Sequence, residues 1–467
     1  MVDLLIHDAD CIVTVDKKRR VIKQGAIAVR DSKILEVGKS RQLEEKYGKR
    51  AERTLSAKGK LVLPGLVDGH IHHTQHLARG LGDNLFIRPW LYHFIWPFES
   101  VMTAEEAYIS SLLCQWEMLR SGATTYLEVA NYFPQELARA TEQTGMRGVF
   151  CRSTMDRGQG DFAPVPKKLF TQTTNRALEQ AERDFLDWNG ACGGRLRSGF
   201  GVRNTAVCSD RLIVEIKKLA DKHGAMIHSH MASTYEELAQ SLYDHRATEF
   251  DRIEELGAWG PNWLLVHMSW VRPRELKLLK RHDLKVCHCP STTAHLGYGA
   301  FTLGSFPEMM EMGITVCLGS DAAPAGGFVG IVKNMYLAAN AHRDARMDAS
   351  VMTIESTLEM ATINGAKGAL WEDEIGSLEK GKKADIILFD MSGPEWVPRF
   401  NPLFNLVHTS NGTNADTAIV DGKIVMEGGK VLGIDEGALL KEAQKCGQAI
   451  LKRTGLGHLS KTRWPVE

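Results

Sequence analysis

The chain has 467 residues, enough for about three average domains or for one large barrel with a companion module. Its 57 lysines and arginines balance 57 aspartates and glutamates, a net charge of zero, which argues against nucleic acid or an anionic membrane surface as a partner. A hydrophobic share of 43% with 24% charged residues reads as a folded chain, and no uncharged apolar run reaches the roughly 18 residues of a membrane span. Met1 to Asp10 lacks a basic segment followed by an apolar one, so no secretory signal is expected. The nine scattered cysteines show no C-x-x-C spacing and read as reduced thiols of a cytoplasmic protein.

Residues 2 to 60 hold short alternating runs (4–6, 11–15, 26–30, 34–37) broken by Gly, Asp and Lys, which predict a turn-rich β segment. From 61 to 371, apolar β-branched runs alternate with helical patterns. The predicted strands are 61–72, 123–129, 148–154, 196–203, 225–231, 263–269, 285–290 and 315–321. Helical spacing between them includes 104–120, 209–223, 236–256 and 272–280. Eight such units predict an α/β fold, a (β/α)8 TIM barrel over 61–371. Residues 372–433 return to the texture of the N-terminus (384–389, 417–420, 423–427), so 1–60 and 372–433 are expected to meet as one small β-sandwich domain. Residues 434–467 form a C-terminal helix, 434–451, and a tail.

In such a barrel the C-terminal strand ends hold the active site. Strand 1 closes with Asp68-Gly69-His70-Ile71-His72. Side chains two apart share a face, so His70 and His72 can bind one metal. Strand 5 ends in His228-Ser229-His230, strand 6 in His267, strand 7 in His288 and strand 8 in Gly319-Ser320-Asp321. Imidazoles with one carboxylate suit a single divalent transition metal (Zn, Fe or Co) better than Mg²⁺ or Ca²⁺. The triplet Cys287-His288-Cys289 lies in a strand, where neighbours face opposite sides, and is not expected to bind zinc.

The run from Val62 to His72 resembles the opening motif of the amidohydrolase superfamily. Supporting matches are Ser121 to Thr125, His288-Cys289-Pro290, Leu318 to Asp321, Ala361 to Ala366 and Gly376 to Asp385. The layout is similar to the branch with triazine hydrolases and guanine and cytosine deaminases, most of all to phenylurea and thiocarbamate (molinate) hydrolases. The resemblance implies His70, His72, His230 and Asp321 as metal ligands, His267 as the residue contacting water or substrate, and a homo-oligomer. Binuclear relatives carry a lysine at the end of strand 4. Here Gly201-Val202-Arg203 stands there, which favours one metal. His228 is expected to support the site from behind.

Deaminases of the family place a glutamate three residues after the strand 5 ligand, where Ser233 stands here, and a hydroxyl of ordinary pKa is no general acid near neutral pH. Glu236 and Glu237 are expected to face solvent. The reading is therefore a metal-dependent hydrolase cleaving a C–N bond of a small uncharged urea, carbamate or amide, with a deaminase or dechlorinase of an aromatic heterocycle as the alternative. In this mechanism the metal lowers the pKa of bound water from about 15.7 towards 7. Asp321 is the general base, His267 polarises the carbonyl or orients the hydroxide, and either of them protonates the leaving amine. Residues 74–100 carry Phe86, Trp90, Tyr92, Phe94, Trp96 and Phe98 in a chain that is 7% aromatic, a helix packing on the barrel or another subunit, an apolar lid, or both. Gln75, Trp90, His93, Ser233, His267 and Tyr298 are the expected substrate contacts, with His76 and the 322–330 loop nearby.

Overall fold

The computed structural model describes residues 2–157, 166, 169, 173–462 and 464. Strands Leu66–Ile71, Ala123–Asn131, Arg147–Arg152, Leu196–Val202, Ile227–Met231, Trp263–His267, Lys285–His288 and Val316–Leu318 pair in that order, every pair parallel. A parallel bridge between Ile71 and Asp321 closes the ring. The strands are buried along nearly their whole length because helices cover their outer faces, which is why they read as continuous apolar runs. Ala104–Arg120 starts at a Thr103–Glu106 capping box, as its periodicity predicts. The predicted helix over 236–256 is instead two, Tyr235–His245 and Glu249–Glu255. Arg246 adopts a left-handed φ of 54° and Thr248 caps the second helix.

The two chain ends meet in one nine-stranded sheet, mostly antiparallel. Lys60–Pro64 is the seam, pairing with Val2–Val13 on one side and with Ile386–Asp390 on the other. The run expected as a single strand over 61–72 therefore divides at Gly65. Alternation and apolarity do not reveal a change of partner within a continuous stretch, and here the chain leaves one sheet for the other. The tail helix Glu436–Thr454 buries Leu439, Ala443, Cys446 and Ile450 and packs on Ala104–Arg120. Among the described residues no helix is long and apolar enough to cross a membrane.

One buried ion pair ties the composite sheet to the barrel. Arg147, on the third barrel strand, donates to Asp385 through Nε (2.6 Å) and Nη2 (3.1 Å), and Asp385 Oδ1 also accepts from the Asp421 amide at 2.8 Å. Both side chains are almost fully buried. Arg147 Nη2 also reaches Asp421 Oδ1 at 3.3 Å, so removing the arginine leaves buried Asp385 without its counter-charge, and Arg147→Ala is expected to destabilise the protein by about 3–5 kcal/mol, read by denaturant titration. A change below 1 kcal/mol, roughly the worth of an exposed pair, would show that solvent already screens this one.

Candidate metal centre and its cavity

His70 sits inside the first barrel strand and His72 directly follows it. His230 is on the fifth, His267 ends the sixth, and Asp321 follows the eighth. Strands one and eight approach so closely that a Cβ on Gly69 would lie 2.7 Å from the Cys317 sulfur, and one on Gly319 would lie 2.7 Å from the Cβ of His70. The closing hydrogen bond, from the Asp321 amide to the His70 carbonyl (2.8 Å), comes from the site residues themselves. His267 (φ 77°) and Asp321 (φ 60°) both hold left-handed backbone, which the packed strand ends over-determine.

The tautomers follow from the partners. His72 Nδ1 lies 2.8 Å from the Val129 carbonyl, and His230 Nδ1 lies 2.8 Å from the Arg203 carbonyl. A carbonyl only accepts, so both Nδ1 atoms carry hydrogen and both Nε2 atoms present lone pairs. Those two Nε2 atoms face each other at 3.2 Å, and Asp321 Oδ1 is 3.4 Å from Nε2 of both His72 and His70. Protonation is no remedy. Burial first, then the neighbouring histidines, push the pKa of His72 well below its ordinary value, and burial, then Arg203, does the same to His230. His70 Nε2 is buried without a hydrogen-bond partner while its Nδ1 contacts His228 Nε2 at 3.2 Å. Convergent acceptors, each braced from behind by a carbonyl or another imidazole, fit one divalent transition-metal cation.

His228 thus supports His70 from behind, as expected. Cys289 lies close to His267 and Asp321, and burial pushes its thiol up to about 12. His288 points the other way, against Phe306 and His342, in keeping with strand alternation.

A cavity of about 440 Å³ opens over the cluster, lined by His72, His230, His267 and Asp321 and by Gln75, Trp90, Ser233 and Tyr298. Tyr298 meets the His267 ring edge-on at 5.2 Å. His93 is a correction: it is exposed and outside this wall. In the helical segment 87–100, Ile87, Trp90 and Leu91 turn to the cavity while His93 falls on the outer side of the turn. The aromatic segment is mostly buried, since Trp90, Phe94, Trp96 and Phe98 pack inward and only Phe86 stands out in solvent. It both packs on the barrel and roofs the cavity. His76 is buried with its Nε2 3.1 Å from a Glu117 carboxylate oxygen and does not line the cavity.

Glu237 is the second correction. Glu236 is exposed, but Glu237 lines the cavity, its Oε2 accepting from the Ser233 amide at 2.8 Å. Thr234 caps this helix, which makes Glu237 its third residue, whose carboxyl curls back over the helix start. The T-x-x-E spacing of a capping box was the signal in the sequence. Burial raises the Glu237 pKa, outweighing the Ser233 hydrogen bonds. Behind it Glu249 accepts from the Ala232 amide (2.8 Å) and from Thr205, and burial, then the Glu237 charge, push it up to about 8.

The family model described as Amidohydrolase family matches residues 61–425. A 5'-deoxyadenosine deaminase of Methanosarcina mazei is 31% identical over 458 residues, covering 97% of this chain and 99% of its own. The zinc-bound crystal structure of an adenosine deaminase from Xanthomonas campestris superposes with a TM-score of 0.88 at 25% identity, covering 97% of this chain and 99% of the other. The zinc complex of atrazine chlorohydrolase from Arthrobacter aurescens TC1, 21% identical, shares the fold with a TM-score of 0.87 over 95% of this chain and 100% of its own. The likeness to urea and thiocarbamate hydrolases finds no support among these relatives.

Chelated protein is expected to regain stability with Zn²⁺ or Co²⁺, by about 2.7 kcal/mol at 100 times the dissociation constant. Metal analysis should give one ion per chain, lost in His72→Ala and His230→Ala. Full occupancy in either variant would refute the ligand set.

Proposed function

The chain belongs to the amidohydrolase family, and we propose that it is a hydrolytic deaminase that replaces the amine of an aromatic heterocycle with oxygen and releases ammonia. The observation that carries this reading is the Glu237 carboxyl in the cavity. The urea and carbamate reading rested on Ser233 as the only group available in the glutamate slot. Glu237 removes that ground, because a carboxyl reaches the same cavity from one helical turn further on.

His70, His72, His230 and Asp321 hold the metal, with zinc, iron and cobalt all suited to these donors. Bound there, the cation acidifies water and acts as a Lewis acid. Asp321 Oδ1 faces the ligand imidazoles, while Oδ2 lies 3.9 Å from His267 Nε2, placed to take the proton of the attacking water. Burial lowers the His267 pKa to about 4, so at neutral pH its ring is uncharged and orients the oxygen through a hydrogen bond. Glu237 gives its proton to the ring nitrogen beside the reacting carbon, quenching the negative charge that attack pushes into the ring. Its pKa, raised by burial, suits this role. As the C–N bond breaks, Asp321 passes its proton to the departing amine, and the proton of the newly added hydroxyl goes to Glu237, which leaves a ring carbonyl and restores the acid.

Ammonia release from 5'-deoxyadenosine and a panel of amino-purines, amino-pyrimidines and amino-triazines tests the reading. Glu237→Gln is expected to lose about 10²- to 10⁴-fold in kcat/KM with its metal retained. A carboxyl with a raised pKa keeps its proton above the ordinary value of about 4.3 and loses it as pH climbs, so wild-type kcat/KM is expected to fall with rising pH through the Glu237 ionisation. An organic amine released from ureas without ammonia, or full activity in Glu237→Gln, would overturn it.

A further inference from the structure

Glu249 opens the short helix Glu249–Glu255, is buried, and does not line the metal cavity. A buried carboxyl is costly, and an apolar side chain would fill the same place without that cost, so the use of Glu249 lies in what it holds. Its Oε2 accepts from the Ala232 amide at 2.8 Å, and its Oε1 accepts from the Thr205 hydroxyl.

Ala232 is the turning point of the loop after the fifth strand. It holds a left-handed φ of 50°, which a residue with a Cβ keeps only where its surroundings over-determine it. Its carbonyl accepts from the Trp270 amide at 3.0 Å, and the Met231 carbonyl accepts from the Met268 amide at 3.2 Å, so the loop that leaves His267 hangs on the same two residues. On one side of Ala232, two residues back, stands the candidate ligand His230. On the other stands Ser233, whose amide donates to Glu237 Oε2 at 2.8 Å. Thr205 lies two residues beyond Arg203, whose carbonyl fixes the His230 tautomer, and the Thr205 carbonyl is itself held by Arg252 Nη1 at 2.7 Å. One carboxyl thus ties the loop after strand four to the loop after strand five at the point where the second turns. Releasing the Ala232 amide lets its φ relax towards ordinary negative values, which swings the Ser233 amide and the carboxyl bonded to it.

We propose that Glu249 is a positioning residue, which holds the Ala232 amide and so keeps the turn that aims Ser233, and through it the Glu237 carboxyl, into the cavity. This rests on the deaminase reading, in which Glu237 is the acid, and extends it by one residue. The role is one of reach and not of charge. Glutamine keeps an acceptor at the Ala232 amide, whereas aspartate keeps the charge and falls one methylene short.

The test compares metal-loaded wild type with Glu249→Gln, Glu249→Asp and Glu249→Met, each also combined with Glu237→Gln. Ammonia release is measured on the most active compound of the amino-purine, amino-pyrimidine and amino-triazine panel, together with metal content and amide hydrogen exchange across residues 231–234. Glu249→Met and Glu249→Asp are expected to lose about 10²-fold in kcat with little change in KM and full metal content, and Glu249→Gln less than about tenfold. In the Glu237→Gln background Glu249→Met should cost nothing further, because the group it aims is already gone. Exchange at 231–234 should quicken in Glu249→Met and Glu249→Asp and stay slow in Glu249→Gln. If Glu249→Met does not fold, the order of Gln above Asp decides alone. Aspartate more active than glutamine, losses that multiply with Glu237→Gln, or unchanged exchange in Glu249→Met overturns the proposal and leaves the deaminase reading standing. Quickened exchange in Glu249→Met without ammonia from any compound defeats the deaminase reading and keeps Glu249 as the holder of the turn.

Discussion

Two imidazole nitrogens presenting lone pairs 3.2 Å apart, with a carboxylate oxygen 3.4 Å from one of them, repel one another unless a cation lies among them. Much of the surrounding structure serves to enforce that arrangement. The carbonyls of Val129 and Arg203 fix the tautomers of His72 and His230, and His228 braces His70. Gly69 and Gly319 let the first and last strands touch, and the closing hydrogen bond runs between His70 and Asp321. Barrel closure and ligand placement are thus a single geometric event. Behind it, the Arg147–Asp385 pair holds the composite sheet against the opposite end of the strands.

Above the cluster the electrostatics divide the labour among carboxyls. Asp321 is held below the ordinary carboxylate range against its burial, in keeping with a cation site beside it. Glu237 and Glu249, packed behind consecutive amides after the fifth strand, are pushed the other way by burial, and Glu249 also by the Glu237 charge. In the proposed deamination one wall offers a base and another an acid, which is what moving protons to and from a ring nitrogen requires. The zero net charge of the chain conceals this local polarity.

The candidate metal cluster was legible because strand alternation is rigid. His70 with His72, and His228 with His230, had to share faces, and the strand ends of a barrel had to converge. Helix phase in irregular segments was not legible. His93 and Trp90 stand three residues apart in a stretch whose local winding places one outside and the other in the cavity. Glu237 was misread for a related reason. A polar residue on a helix start suggests solvent, whereas the cap at Thr234 turns its carboxyl back over the strand end. The divided strand at Gly65 escaped because apolar alternation is blind to which sheet supplies the partners.

X-ray absorption at the metal edge of protein reconstituted with Zn²⁺ or Co²⁺ tests the central claim most directly. One ion per chain in an N/O-only shell, with the outer scattering of three imidazoles, is the predicted spectrum. A sulfur scatterer, which would bring in Cys289, or a metal–metal vector would contradict it.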